Sequence, residues 1–586
     1  MRLENLGLIG NCQCSALVSN AGDVVWCCLP RFDSEPVFGA LLDEDGGSFS
    51  VRPPDASAGV QRYVSNTNVL ETRFTTSDGV FRVIDFMPRF ELHGRFFRPT
   101  QLYRIVEPIE GTPRVCVRCD PRTGWSKARP AAVQGSNHIQ FDGYASRLRL
   151  TTDIPLSYLE GRPFALTGRR HLALTWGIPI EEPLAPLAGR FHEETVRYWR
   201  QWVKHCSIPP LYQNEVIRSA LALKLHTFDD TGAIVAATTT SLPEAPGSSR
   251  TWDYRYCWLR DAYYALSAFR MIGHFEEREN FLQYLINVAQ NHPSLDLAPL
   301  YRVDGQDDLE ERILTAWGGY LGEGPVRVGN AAARHSQHDV FGEMILALTP
   351  LYLDERFSGE RSTDVLDLMF RIARKAVSVA GTPDAGIWEF REGWHPQTFS
   401  SVMCWVAADR MAQIAARHRP EATQEFRSAA GRIQQEVLEK AWNADMASFV
   451  ASYGGNDVDA SLLQLAVLRF LPPEDPRLRR TVETIHRDLA LDGWLKRYRR
   501  DPMGKSEVAF TVCTFWLVEA LARIGEKRAA RETFERALGM LSPVGLISED
   551  YDPAAGRMWG NFPQAYSHVG LIHAAFAASP GWAEVT

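Results

Sequence analysis

Helical patterns alternate with connections of two very different lengths through the last two-thirds of this 586-residue chain. Apolar spacing and helix breakers predict twelve helices, at 213–226, 259–272, 276–291, 335–353, 361–380, 397–417, 420–440, 459–470, 477–488, 506–523, 527–540 and 563–578. Short connections follow the even-numbered helices. Long ones follow the odd-numbered helices, at 227–258, 292–334, 381–396, 441–458, 489–505 and 541–562. Since successive helices usually lie antiparallel, all long connections emerge at one end. The pattern predicts an (α/α)6 barrel over 213–586, a ring of six helical hairpins with a loop-built pit at one mouth.

The first 185 residues have a different pattern, with short alternating apolar runs separated by turn residues. Residues 16–19 and 24–28 flank the turn Asn20-Ala21-Gly22-Asp23, which is typical of a hairpin. Similar runs recur along this part of the chain and predict an antiparallel β-sandwich. Residues 186–212 then read as a helical linker. The predicted fold class is therefore α+β and multidomain.

Composition and charge exclude several function classes. The formal net charge is −8, whereas nucleic-acid binding needs a basic excess on some face. No apolar run approaches the ~20 residues that span a bilayer, and the start lacks an apolar signal core, so we expect a cytoplasmic protein. Ten Cys do not indicate a disulfide scaffold, and the lone CxxC pair Cys116 and Cys119 reads as core thiols.

Tryptophan is concentrated in the long connections. Half of the sixteen Trp lie there, in about a quarter of the chain. Trp is costly to expose, so these residues either form small cores within the loops or line a pocket that stacks on sugar rings. We favour the pocket. The residues concerned are Trp252, Trp258, Trp317, Trp388, Trp394, Trp442, Trp494 and Trp559.

Three polar motifs lie in the same connections. Arg260 and Asp261 follow an aromatic-rich segment at a helix start, as a capping ion pair or as a grip on sugar hydroxyls. Glu389 stands among large apolar neighbours that disfavour its charged form, which suits a general acid unless the side chain faces water. Glu549 lies in an acid-rich segment and suits an ionised base, or is a solvated surface acid. Arg497, in a basic run, is a candidate to point inward.

Other patterns are weaker. His335 and His338 have a spacing that metal ligands use, but no third ligand is evident, and we predict neither a metal nor a cofactor. The acidic cluster at 304–308 is similar to the magnesium-binding clusters of α-barrel terpene enzymes, yet it has no partner cluster.

Together these motifs resemble glycoside hydrolase family fifteen, which includes glucoamylases, glucodextranases and bacterial trehalases. The resemblance covers nearly the full length. It rests on the segments 4–11, 238–244, 252–262, 301–305, 386–389 and 549–568, which occur in the family's order.

The resemblance implies a β-sandwich joined by a helical linker to an (α/α)6 barrel, and an inverting, exo-acting α-glucosidase. It assigns Glu389 as the general acid and Glu549 as the base that activates water. It implies a substrate subsite that contains Tyr254, Trp258, Arg260, Asp261, Ile387, Trp388 and Arg497; Trp317 and Trp559 join it as pocket candidates. Inversion requires the two carboxyl groups to lie about 6.5–9.5 Å apart.

Substrate identity stays open between trehalose and short malto- or isomalto-oligosaccharides. Two segments depart from bacterial relatives, at 390–392 and 502–507, and both could border the leaving-group subsite. Two other classes also remain. A glycosyl phosphorylase would require phosphate for turnover, and a non-catalytic sugar-binding protein would have lost the carboxylates that this chain retains.

Overall fold

The computed structural model describes residues 1–499 and 507–585. Most of the departing segment at 502–507, with the start of the helix predicted at 506, lies outside the described residues. The N-terminal strands are β1 Leu6–Gly10, β2 Ser15–Ser19, β3 Asp23–Cys28, β4 Pro36–Phe38, β5 Ser48–Arg52, β6 Val60–Tyr63, β7 Leu70–Thr76, β8 Gly79–Phe86, β9 Phe90–Leu92, β10 Arg95–Phe97, β11 Gln101–Gly111, β12 Arg114–Asp120, β13 Ala132–Gln134, β14 His138–Phe141, β15 Leu148–Thr152, β16 Phe164–Ala165 and β17 Arg170–Trp176.

These strands form two antiparallel sheets. One has the order β1-β2-β3-β5-β12-β16 with β4 beside β3, and the other has the order β13-β14-β15-β17-β11-β8-β7-β6. The predicted β2–β3 hairpin is present, with Gly22 at φ 89° in its turn. The buried Arg104 spans the sandwich core, donating to Asp85 at 2.7 Å and to the Gly22 carbonyl at 2.8 Å. The predicted antiparallel sandwich is confirmed.

A long helix, α1 Leu184–Lys204, covers the outer face of the second sheet. Its apolar residues Leu184, Leu187 and Phe191 are buried against Phe86 and Tyr103 of β8 and β11. The spacing of these residues, three and four apart, places them on one face of the helix. The chain then enters the helical part at residue 213.

The remaining helices match the predicted ones closely. They are α2 Gln213–Lys224, α3 Leu259–Met271, α4 Glu276–Asn291, α5 Asp339–Leu353, α6 Thr363–Val379, α7 Thr398–His418, α8 Thr423–Lys440, α9 Gln464–Val467, α10 Pro476–Leu489, α11 Thr511–Arg523, α12 Lys527–Ala537 and α13 Ala565–Ala578. Helix α11 begins later than predicted because Ala509–Phe510 pairs instead with Asp550–Asp552 as a short strand. Helix α9 is shorter because its first turn is a 3₁₀ helix.

The helices close into a double ring. In the inner ring, α3, α5, α7, α9, α11 and α13 each contact the next, and α13 returns to contact α3. The other helices lie outside this ring, with α6 and α8 against α7 and α12 against α11. The inner helices follow the long connections, so their N-termini lie at the loop-bearing mouth. Within residues 1–499 and 507–585 the predicted six-hairpin ring is confirmed.

Short strand pairs order the long connections. They are β18 Thr227–Phe228 with β19 Ala233–Ile234, β20 Cys257–Trp258 with β21 Leu300–Tyr301, β22 Arg312–Ile313 with β23 Arg327–Val328, β24 Trp442–Asn443 with β25 Ser448–Phe449, β26 Ala490–Leu491 with β27 Trp494–Leu495, and β28 Ala509–Phe510 with β29 Asp550–Asp552 and β30 Arg557–Trp559. The sandwich packs against this mouth, where Trp26 donates to the Thr238 carbonyl at 2.7 Å. Asp304 pairs with Arg31 of the sandwich at 2.7 Å, so the acidic cluster makes an inter-domain ion pair. None of the helices in the described part of the chain is long and apolar enough to span a membrane.

One acid of the inner ring, whose side chain is 12% exposed, makes the free energy of unfolding depend on pH. Burial raises the pKa of Glu519 on α11 from 4.5 to about 8, although Arg523 opposes the shift; His573 Nδ1 lies 3.8 Å away. Below pH 4.5 both the folded and unfolded states hold the proton. As pH rises towards 8 the unfolded state ionises first, so the free energy of unfolding falls. We expect Glu519→Gln to flatten this decline by a few kcal/mol, at about 1.4 kcal/mol per pKa unit, measured by urea unfolding at pH 5 and pH 8. An unchanged slope would contradict this assignment.

Candidate active site

A cavity of about 380 Å³ opens at the mouth that bears the long connections. Of the residues predicted from sequence, it is lined by Tyr254, Trp258, Arg260, Asp261, Ile387, Trp388, Glu389 and Arg497. These residues come from three different connections and from the first turn of α3. The ring thus brings together side chains that are up to 243 positions apart in the sequence, from 254 to 497.

Glu389 is held by donors that all contact one carboxylate oxygen. Trp258 Nε1 donates to Oε1 at 2.6 Å and Gln337 Nε2 donates at 3.2 Å, while Arg260 Nη2 lies 3.5 Å from the same atom. Within the described part of the chain, Oε2 has no hydrogen-bond partner. The backbone of Glu389 has φ 59°, a left-handed conformation uncommon for residues other than Gly. This fixed geometry orients Oε2 as the atom available to a substrate.

Glu549 is the more deeply buried of the two carboxyl groups. Its Oε1 accepts from the Tyr254 hydroxyl at 2.7 Å, and its Oε2 accepts from the Asn561 N–H at 3.1 Å. Gly560, at φ 71°, passes so close that a Cβ would lie 2.6 Å from the Glu549 Cβ. Burial, together with the charge of Glu244, raises the pKa of Glu549 to about 8, although Arg497 and the hydrogen bond from Tyr254 oppose the shift.

The burial of the two carboxyl groups differs from the setting inferred from sequence. Glu549 is 0% exposed, whereas the Glu389 side chain is 21% exposed. The acid-rich segment around Glu549 is enclosed because β29 lies between β28 and β30, and Gly560 covers the carboxyl group. A run of acids in the sequence therefore did not indicate exposure to solvent, since Glu549 and Asp550 are both buried.

Arg260 links the two sides of the cavity. Its Nη1 donates to the Ile387 carbonyl at 3.1 Å and to Gln337 Oε1 at 3.3 Å, and its Nη2 lies 3.4 Å from Asp261. Burial, with the charge of Glu389, raises the pKa of Asp261 to about 6, against the effect of Arg260. Arg260 and Asp261 form the predicted ion pair and both line the cavity. Their grip on sugar hydroxyls stays a prediction.

Aromatic rings form the wall of the cavity. Tyr254 lies edge-on to Trp258 with ring centroids 5.3 Å apart. Trp388 lies edge-on to Phe510 at 6.0 Å, and its Nε1 donates to Asp459 at 2.9 Å. An anchored indole offers a flat apolar face in a fixed orientation, which suits the C–H face of a sugar ring.

Arg497 is the inward-pointing residue of the basic run. It pairs with Glu244, which also accepts from Arg250 at 3.2 Å and from Trp252 Nε1 at 3.0 Å. Arg499 instead pairs with Asp457 at 3.0 Å. The last two residues of the run, 500 and 501, lie outside the described residues.

Several predicted residues do not line the cavity. Glu549 is 0% exposed and contacts the lining residue Tyr254, and five of the eight Trp lie elsewhere: Trp317, Trp394, Trp442, Trp494 and Trp559. Trp317 packs edge-on against Trp125 of the sandwich at 5.2 Å and donates to its carbonyl at 2.8 Å. Trp559 lies on β30 and packs against Tyr320 at 6.2 Å. Neither lines the cavity, because the strands that carry or flank them direct both rings into the junction between the sandwich and the loops. For these two Trp the alternative of a loop core is correct.

The cavity is also lined by residues that the sequence patterns did not predict. His335 lines the cavity, although its spacing from His338 suggested only a pair of metal ligands. His338 does not line the cavity and contacts Ser336 at 3.1 Å. Both His lie just before the inner helix α5, at the mouth that bears the long connections, and this position indicates a place near the cavity. Trp252, predicted as a pocket Trp, and the segment 390–392, predicted to border the leaving-group subsite, also line the cavity. The lining residues that were not predicted are Ala236, Glu244, Arg250, Asn330, Ala332, Tyr498, Phe510, Gln564 and Tyr566.

Comparison with known proteins agrees with this architecture. The model of "Glycosyl hydrolases family 15" matches residues 210–576. The chain belongs to this family. A second model, "Trehalase-like, N-terminal", matches residues 1–152. As a member of glycosyl hydrolase family 15, the protein is a glycoside hydrolase.

Similar proteins match along nearly the whole chain. A trehalase of Mycobacterium tuberculosis is 35% identical over 98% of this chain and 89% of its own length. A trehalase of Thermoplasma volcanium is 33% identical over 98% of this chain and 93% of its own. A bacterial glucoamylase solved with acarbose shares the fold, with a TM-score of 0.67 at 14% identity over 98% of this chain and 93% of that one. This chain and that glucoamylase therefore share one fold over both the sandwich and the barrel.

Proposed function

We propose that this family-15 hydrolase cleaves trehalose with inversion, with Glu389 as the general acid and Glu549 as the general base. The full-length similarity to trehalases supports the substrate. The observation that carries the proposal is the cavity itself, where Glu389 is held by one oxygen and Glu549 is buried beside the lining residue Tyr254.

In the proposed reaction Glu389 Oε2 gives its proton to the glycosidic oxygen as the bond to the anomeric carbon breaks. Glu549 takes a proton from a water molecule that attacks this carbon from the opposite face. The proton lost by Glu389 and the proton gained by Glu549 balance the hydrolysis. Each turnover converts one trehalose and one water into two glucose molecules.

The remaining residues suit a single terminal glucose. Arg260 donates and Asp261 accepts, and this combination matches neighbouring hydroxyl groups. Trp258 and Trp388 present their rings to the same cavity. A volume of about 380 Å³ lies near the lower end of the ~300–1,000 Å³ range of ligand sites, which favours a disaccharide over a long chain.

A substrate comparison tests this proposal. Initial rates are measured with trehalose, maltose, isomaltose and maltotetraose, each with and without inorganic phosphate. We expect the highest kcat/KM with trehalose, and glucose as product in both conditions. A preference for maltotetraose would replace the proposed substrate. Formation of glucose 1-phosphate only when phosphate is present would establish the phosphorylase alternative.

Tyr254→Phe tests the base through its pH dependence. Because the hydroxyl donates to Glu549, it favours the carboxylate, and its loss raises the already raised pKa of Glu549. A base must be ionised, so the acidic limb of kcat/KM lies well above pH 4.5 and moves to higher pH in the variant. The measurement is kcat/KM from pH 4 to 9, with Tyr263→Phe as the control outside the catalytic cavity. A limb that stays in place would remove Glu549 from this role.

A further inference from the structure

A second cavity, of about 470 Å³, lies at the opposite end of the barrel. Helix α3 connects the two ends, since Arg260 lies in its first turn and Arg270 in its last. At 1.5 Å per residue these positions are about 15 Å apart along the helix. Parts of α3, α5 and α7 and the start of α4 line this far cavity, which the hydrolytic mechanism does not use.

The far cavity is strongly cationic. Arg270, Arg278, Arg410 and Arg469 line it, against the single carboxylate of Asp409, which already pairs with Arg410. Within residues 1–499 and 507–585, the guanidinium groups of Arg270, Arg278 and Arg469 form neither ion pairs nor hydrogen bonds. The lining side chains thus carry a surplus of positive charge without a partner carboxylate.

Arg278 is the most informative of these residues. It is only 6% exposed, and its Nη1 is buried without a hydrogen-bond partner in the described part of the chain. Its guanidinium lies 3.6 Å from the centroid of the Phe357 ring, which fixes its plane. A buried charge normally has a partner, because the loss of hydration is otherwise uncompensated. Glu279, Asp354 and Glu360 act on this charge without a hydrogen bond and do not line the cavity, so an anion in the cavity would be a direct partner.

We propose that this cavity binds a phosphate group, either as inorganic phosphate or as part of a phosphorylated sugar. Planar guanidinium groups donate paired hydrogen bonds that match the oxygens of a phosphate. Ser267 also lines the cavity, and so does Tyr263, whose ring suits the apolar face of a sugar. The chemistry thus differs from that of the catalytic cavity, for which we propose a neutral sugar.

Helix dipoles work against this binding but do not prevent it. The C-terminal ends of α3 and α5 lie towards the far cavity, and each acts as about half a negative charge. Glu519, on the neighbouring α11, has its pKa raised to about 8 by burial and is therefore largely neutral at pH 7. Among the lining side chains, four arginines face one carboxylate and outweigh the two dipoles. The carboxylates of Glu279, Asp354 and Glu360, which also act on Arg278, lie outside the lining.

The test is calorimetric titration of the full-length protein with inorganic phosphate and, separately, with glucose 6-phosphate, at constant ionic strength. We expect one saturable site, together with a rise in Tm that follows its occupancy. Arg278→Gln and the exposed Arg270→Gln are each expected to weaken binding about tenfold, the value of one charge-assisted hydrogen bond. Arg432→Gln, which removes the same charge from the surface of α8, is expected to leave it unchanged.

The two ligands distinguish the source of the phosphate. Tighter binding of glucose 6-phosphate would assign the site to a phosphorylated sugar, and equal binding would assign it to free phosphate. The proposal is wrong if neither ligand gives a saturable isotherm, or if Arg270→Gln binds as tightly as Arg432→Gln. Because Arg270 is exposed, its replacement is compatible with folding, and the result does not depend on which substrate the enzyme hydrolyses.

Discussion

Glu389→Gln and Glu549→Gln are each expected to lower kcat for trehalose by about 10²–10⁴-fold, the usual contribution of one general acid or base. Glutamine preserves the shape of each side chain but can neither give nor take the required proton. Both variants should keep the wild-type Tm within a few degrees. The measurement is steady-state hydrolysis of trehalose beside thermal unfolding.

The two roles can be separated with α-glucosyl fluoride, whose leaving group needs no protonation. Glu389→Gln should recover most of its activity on this substrate, whereas Glu549→Gln should remain inactive because water is still not activated. Glu392→Gln is the matched control, since Glu392 lines the same cavity but has no role in the proposed chemistry. Near-normal turnover of trehalose by either catalytic variant would exclude that residue from its role.

Arg260→Met is expected to have the second-largest effect. The guanidinium contacts the Ile387 carbonyl, Asp261 and Glu389, so its loss leaves buried acids without their compensating charge. Breaking a buried pair in this way costs about 3–5 kcal/mol of stability. It also removes a donor from the proposed substrate subsite, and we expect kcat/KM to fall by about 10- to 10²-fold.

Urea unfolding and steady-state kinetics measure the two consequences. Arg260→Lys should recover part of the stability but little of the kcat/KM, because an ammonium group lacks the planar fork of donors. Arg391→Met, at the half-exposed rim of the same cavity, is expected to change both quantities much less. If Arg260→Met behaved like Arg391→Met, Arg260 would not organise the site.

The fold was predictable because the spacing of apolar residues changes once along the chain, from strand alternation to helical periodicity. Alternation of apolar residues predicts the sandwich, and the long and short connections predict the closed ring and its functional mouth. The predicted start of helix α11 was wrong because the residues before Thr511 form a strand with a distant part of the chain. Phe510 pairs with Asp550 in a strand, and a helix pattern contains no information about such a distant partner.

The site was predictable in part. Residues next to an aromatic-rich helix start or an isolated carboxylate could be selected, as with Arg260 and Glu389. Glu244 could not, because its importance comes from Arg497 and Trp252, which reach it from other parts of the sequence. Trp317 shows the opposite failure, since a Trp in a long loop fills an inter-domain junction as readily as it lines a pocket.

Inverting hydrolysis of trehalose between Glu389 and Glu549, as we propose for this family-15 protein, can be recognised from the anomers of the released glucose. The most direct measurement follows the glucose anomers by ¹H NMR in the first minutes of trehalose hydrolysis, before mutarotation mixes them. The attacked ring leaves as β-glucose and the other ring leaves as α-glucose, so we expect equal initial amounts of the two anomers. Initial release of α-glucose alone would show retention and contradict the assignment of Glu549 as a base.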